Sequence, residues 1–217
     1  MKLTPAIRSF ALLAGLAATT VLASEVVPAG WVVPSPSKDY AAFLDRKVTR
    51  SGQASATIKS VAAQPDGSGN MMQTFAAGIY CGKRVRLTGH VKTLGATAAQ
   101  LWMRVDGPGQ ILAFDNMANR PITGTVDWVR VELVLDVPLD AINISFGCLL
   151  RGPGQLWFDD LKFEFVGKGV AVTDSGVDQA RTGRDDPKQE AGKGSRVVKP
   201  AKSTQPRNLD FEEKSQP

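Results

Sequence analysis

Two runs of this chain, Leu101-Trp102-Met103-Arg104-Val105-Asp106 and Trp128-Val129-Arg130-Val131-Glu132-Leu133-Val134-Leu135-Asp136-Val137, alternate side chains one by one between two chemical characters. A period of two is the signature of a strand with one buried face, and no helix can satisfy it. Val85, Leu87, Gly89 and Val91 repeat the pattern against Arg84, Arg86, Thr88, His90 and Lys92, and Leu156-Trp157-Phe158-Asp159-Asp160-Leu161 adds a closing strand. Turn signals separate these runs at Asp66-Gly67-Ser68-Gly69, Asp106-Gly107-Pro108-Gly109, Asn119-Arg120-Pro121 and Gly152-Pro153-Gly154. Many short strands at this spacing predict an all-β, antiparallel sandwich. Strands are expected near 40–47, 53–60, 70–76, 83–93, 99–106, 110–115, 128–137, 141–150 and 155–166.

Composition divides the 217 residues into three parts. Lys2 and Arg8 precede a short apolar stretch, Phe10 to Leu22, that ends in Val21-Leu22-Ala23. This is the pattern of a signal peptide over residues 1–23, so the protein is expected to be exported, to the periplasm or beyond the cell, and to keep no membrane span after cleavage. Residues 24–166 carry the strands. From Gly167 onward large apolar residues almost vanish, and the chain becomes a mixture of Gly, Lys, Asp, Gln, Pro and Ser, which predicts a disordered linker and tail over 167–217. Loss of the first 23 residues, with two basic and no acidic side chains, lowers the net charge from +5 to +3. Such a surplus, with no concentrated basic face, argues against a nucleic-acid partner.

Cys81 and Cys148 invite a disulfide in an oxidising compartment, whereas a buried free thiol at Cys148 is the plainer alternative. Catalytic signatures are missing. His90 is the sole histidine, no Gly-x-Ser-x-Gly or His-Glu-x-x-His run occurs, and Gly192-Lys193-Gly194-Ser195 lacks the strand, upstream glycine and helix of a phosphate loop. Only a carboxylate pair drawn from Asp106, Asp115 and Glu132 stays open to an enzyme reading, and the chain is expected not to be an enzyme. Trp102, Arg104 and Asp106 point away from apolar Leu101, Met103 and Val105, and His90, Arg130 and Glu132 occupy comparable outward registers. An aromatic plate flanked by such groups suits a sugar, whose C–H face stacks on the ring while its hydroxyls meet polar groups. The competing reading has Trp102 covered and Arg104 paired with Asp106 as ordinary sheet stabilisation.

The order Gly30-Trp31, Tyr40, Asp45, Gly52 to Ser60, Gln73, Gly82-Lys83-Arg84-Val85-Arg86-Leu87, the Trp102 strand, Phe114-Asp115-Asn116-Met117, Trp128 and Trp157 to Phe163 resembles bacterial jelly-roll domains of the carbohydrate-binding-module-like, galactose-binding-like group. The resemblance implies a glycan or cell-envelope component as partner, with an envelope structural or interaction domain as the alternative. It also implies a structural Ca²⁺ between the first and last strands, with Glu25, Asp159 and Asp160 as ligands. Members of this group open with an Asn-Leu-x-Phe-Glu strand shortly before the Gly-Trp. Here that motif stands at the far end, as Asn208-Leu209-Asp210-Phe211-Glu212. It is either a remnant without a role, or a segment that returns and pairs with an open sheet edge in cis or from a neighbour.

Overall fold

The computed structural model describes residues 26–34, 36–173 and 198–213. The expected signal peptide, Glu25 and residues 174–197 lie outside the described residues. Eight strands follow in order: β1 (Tyr40–Asp45), β2 (Ser55–Ser60), β3 (Ser68–Ala76), β4 (Arg84–Gly107), β5 (Gln110–Asp115), β6 (Ile122–Asp136), β7 (Asn143–Arg151) and β8 (Gln155–Val166), with a 3-10 turn at Gly78–Tyr80. All pairings are antiparallel. The fold is an all-β jelly-roll sandwich, and among the described residues no helix is long and apolar enough to cross a membrane.

The 24-residue β4 explains how the sandwich closes. Its first part, Arg84 to Leu94, pairs with β8 and β6, and its last part, from Ala98, pairs with β7 and β5. Alternation breaks at Leu94-Gly95-Ala96, which reads in the sequence as the end of one strand. Instead the chain bends there without leaving the ladder: Gly95 takes φ +58°, a left-handed conformation that a side chain disfavours, and the register with β6 slips between Thr93 and Ala96. One layer therefore reads β1-β2-β8-β4-β6 and the other β3-β7-β4-β5.

Between the layers lies the apolar face that alternation selects. Val85, Leu87, Val91, Leu101, Met103 and Val105 of β4 are all buried, as are Phe75, Phe146 and Phe158. Phe163 of β8 meets Phe146 of β7 at 4.9 Å and Phe75 of β3 at 5.4 Å, both edge to face, so the two layers interlock through aromatic rings. Trp31 and Trp157 are buried, and the indole of Trp157 donates to Asp45 Oδ2.

The cysteines correct an expectation. Both are free thiols. Cys148 sits on the core face in mid-β7, and burial pushes its thiol well above the ordinary range. Cys81 follows the 3-10 turn, with Sγ 3.5 Å from Ala141 O. Seven residues of near-extended chain separate Ala141 from Cys148, roughly 20 Å at the rise of a strand, far beyond what a disulfide bridges.

Candidate functional site

Outward residues of the β3-β7-β4-β5 layer form rows fixed by register. Asn70, Leu149 and Gln100 make one row, Met72, Gly147 and Trp102 the next, and Thr74, Ser145, Arg104 and Phe114 a third. A fourth joins Ala76, Asn143 and Asp106. Trp102 donates from Nε1 to Asn70 Oδ1 at 3.1 Å, so its indole reaches across β7 at Gly147, where no side chain stands in the way. Its exposure is only 6%, which makes it a floor rather than an open shelf.

Around this floor the surface is polar. Arg104 donates from Nη2 to Asp106 Oδ2 at 3.1 Å, with Nε 2.8 Å from Oδ1. Thr74 and Ser145 share a hydroxyl hydrogen bond. Gln100 is buried, yet among the described residues its Oε1 meets no hydrogen-bond donor. A buried amide oxygen without a partner costs on the order of 1–3 kcal/mol, so it points to a donor supplied from outside the chain.

The six residues expected to bind a ligand do not converge. His90 pairs in register with Arg130, and neighbouring Thr88 with Glu132, on the β4-β6-β8 layer. Twelve residues of β4, a contour of roughly 40 Å, separate His90 from Trp102. Arg130 and Glu132 form an exposed ion pair at 3.1 Å. The three acids considered for catalysis are likewise taken separately: Asp106 by Arg104, Glu132 by Arg130, and fully buried Asp115 by Arg120, whose Nη1 donates to Oδ1 at 3.1 Å.

Asp159 and Asp160, expected to hold calcium, sit where β8 bulges out of its ladder with β4, and Asp160 takes φ +51°. Asp159 Oδ2 accepts the backbone N–H groups of Arg50 (3.0 Å) and Ser51 (3.3 Å), and Oδ1 accepts that of Asp160. Burial, against these hydrogen bonds, pushes its carboxyl up to about 6. Asp160 accepts from Ser51 Oγ and stands 3.9 Å from His90 Nδ1, which has no hydrogen-bond partner. Burial first, then Arg50, holds His90 below the ordinary imidazole range. A cation needs clustered oxygens, whereas N–H groups face Asp159, and among the described residues no three acidic, His or Cys side chains gather. The Asp159 carboxylate is thus taken up by backbone N–H groups, and Glu25, the third expected ligand, lies outside the described residues.

A second site was visible in the sequence only as a displaced motif. Past Val166 the chain stays pinned for a few residues, with Arg84 donating to Lys168 O and Thr173 N to Val134 O. From Val198 it lies against the sandwich again: Asn143 exchanges hydrogen bonds with Lys199 O and Ala201 N, and Ala76 N donates to Ser203 O. Gln73 then brackets Arg207, donating to its O and accepting from its N. Leu161, whose N–H is released by the β8 bulge past the end of the β2 pairing, donates to Leu209 O at 2.9 Å. Phe211, 1% exposed, fills a space between Trp31 (5.2 Å) and Phe158 (5.2 Å). Asn208 receives Trp31 Nε1 on its carbonyl and donates to Ala29 O, and Glu212 Oε1 accepts Gln53 N and Ala54 N. Of the two readings of this motif, the return in cis is the one seen, but it adds no strand to a sheet edge: among the described residues one backbone hydrogen bond, Leu161 N to Leu209 O, joins the motif to the sheet.

No protein-family profile matches the chain. A stretch of 148 residues, 66% of the chain, is 46% identical to the uncharacterized HTH-type transcriptional regulator YbfP of Bacillus subtilis, and this chain spans half the length of that relative. Among solved structures, the enzymatically active domain of bacteriophage CBA120 tailspike protein 4 aligns with TM-score 0.51 and 14% identity, over 64% of this chain and 20% of that one. The chain is a jelly-roll module in fold. The CBM22-1 xylan-binding domain of Paenibacillus barcinonensis Xyn10C aligns at TM-score 0.47 and 14% identity, over 65% of this chain and 89% of that domain.

Proposed function

We propose that this chain is an exported, non-catalytic recognition module whose ligand is a glycan or another polyhydroxylated component of the cell envelope. The ligand lies on the outer face of the β3-β7-β4-β5 layer. One observation carries the reading: among the described residues Gln100 Oε1 is buried and unpartnered, in the row of Asn70 and next to that of Trp102, on the face that also carries Thr74, Ser145, Arg104 and Asp106. A sugar hydroxyl supplies the missing donor, and the Arg104 fork reaches vicinal hydroxyls.

Burial of Trp102 supports a second reading, an interaction domain without a sugar ligand. Calorimetric titration of the full chain with mono- and oligosaccharides and cell-wall polysaccharides decides between them. Saturable binding, weakened at least tenfold by Arg104→Ala and by Gln100→Leu at unchanged melting temperature, is the expected result. Absence of binding to every polysaccharide would leave the interaction domain.

A further inference from the structure

Residues Arg207 to Glu213 form a compact hook. Arg207 pairs with Glu213, and Glu213 N donates to Asn208 Oδ1, so the segment holds part of its own shape. Asn208 and Phe211 both take positive φ, at +49° and +60°. Asparagine tolerates that region, whereas phenylalanine there is strained by about 1–2 kcal/mol, which only burial of its ring offsets. The receiving surface is as specific as the hook: an aromatic slot at Trp31 and Phe158, an indole N–H, a glutamine amide, one free strand N–H, and two backbone N–H groups aimed at a carboxylate. Gly30 and Gly52 leave room for it. A Cβ at Gly52 would stand 2.3 Å from Glu212 Oε1, and one at Gly30 2.8 Å from Arg207 Cγ.

We propose that this groove accepts the Arg207–Glu213 hook of a second copy of the chain as well as its own, so that copies are joined by exchange of this segment. The contacts that seat the hook are made by residues 207 to 213, and the approach bonds of Lys199, Ala201 and Ser203 to Asn143 and Ala76 can travel with it onto the same copy. Residues 174–197 lie between Thr173 and Val198, and 24 residues span at most roughly 80 Å when fully extended, which is contour enough to reach the groove of an adjoining copy. Docking on its own groove is intramolecular and wins at low concentration; copies that are crowded, or whose own hook is disabled, take the hook of a neighbour.

Complementation tests this with two full-length variants. One, Phe211→Ala with Glu212→Ala, has a disabled hook and an intact groove; the other, Gly52→Ala with Gln73→Ala, has the converse. Each alone should be monomeric by light scattering, and the mixture should form a 1:1 heterodimer. A labelled peptide of residues 203–217 should bind the hook-disabled variant and lose at least tenfold in affinity when it carries Phe211→Ala. Monomers throughout the mixture would overturn the proposal, whether or not the peptide binds. Should the hook-disabled variant fail to fold, wild-type chain at about 1 mM, held near its melting midpoint, cooled and diluted, decides: dimers that persist on dilution uphold exchange, and monomers alone overturn it.

Discussion

Replacing Phe211 by alanine isolates the hook as a stability element. The ring is 1% exposed and meets Phe158 edge to face at an interplanar angle of 88°. Truncating a buried phenylalanine costs about 3–5 kcal/mol, including the space left behind. The loss here has a ceiling, because a hook without its anchor detaches, and its residues regain about 1–2 kcal/mol of backbone entropy each. A loss near the lower figure, about 3 kcal/mol, is therefore expected. In a chain of this size that lowers the melting midpoint by roughly 6–12 °C. Thermal melts followed by circular dichroism should show the same drop for Phe211→Ala and for a chain shortened by residues 198–217. Leu139→Ala, at 84% exposure, serves as the control and should shift the midpoint little. If Phe211→Ala melts with the wild type, the ring does not anchor the terminal segment and the reasoning fails.

Acidity gives a second expectation. Asp159, raised to about 6 from an unfolded value near 3.9, binds its proton more tightly in the folded chain, so stability falls by at most about 3 kcal/mol as pH rises from 4 through 6. Asp136 works the other way: its side-chain bond from Arg84 holds it at about 2, so its contribution is lost as pH falls below 4. Wild-type melts should peak near pH 4–5, and Asp159→Asn should remove the decline on the alkaline side. Arg120→Ala should cost about 3 kcal/mol in chemical denaturation, because it strands the carboxylate of Asp115 inside the fold; an unchanged midpoint would show that water reaches that acid. Melts in Ca²⁺ and in chelator should coincide, whereas a calcium-dependent rise would mean that oxygens outside the described residues complete a site at Asp159. Thiol titration of the denatured, unreduced protein should count two free sulfhydryls per chain, and none would restore the disulfide.

Much of the architecture was legible because alternation reports burial directly. Val85 to Val91, Leu101 to Val105 and Leu133 to Leu135 lie on the faces their spacing predicts. Leu94 to Ala98 misled, since a bend within a ladder and a loop between two strands break alternation alike. Ile122 to Asp127 extends β6 with residues too polar to announce a strand, and it is backbone pairing with β4 that makes it one. At the candidate site, the outward register of Trp102 was readable, but its burial was not, because that depends on Gly147 being its neighbour on β7. The Arg104–Asp106 pairing follows from i, i+2 spacing on one strand face, whereas no spacing could tell that β4 carries His90 to a different layer. The motif at Asn208 to Glu212 was recognisable by composition, and only the released N–H of Leu161 and the slot beside Trp31 reveal where it belongs.

The bond between Trp31 and Asn208 joins residues 177 positions apart. A ribosome adding 5–20 residues per second makes the second of them roughly 10 to 35 s after the first. Phe158 precedes Phe211 by 53 residues, so only for the last roughly 3 to 11 s does the nascent domain hold Trp31 and Phe158 without the ring that covers them, and Leu161 without its acceptor. Until it closes, the nascent molecule offers an unfilled aromatic slot and one unsatisfied strand N–H to whatever meets it, chaperones included.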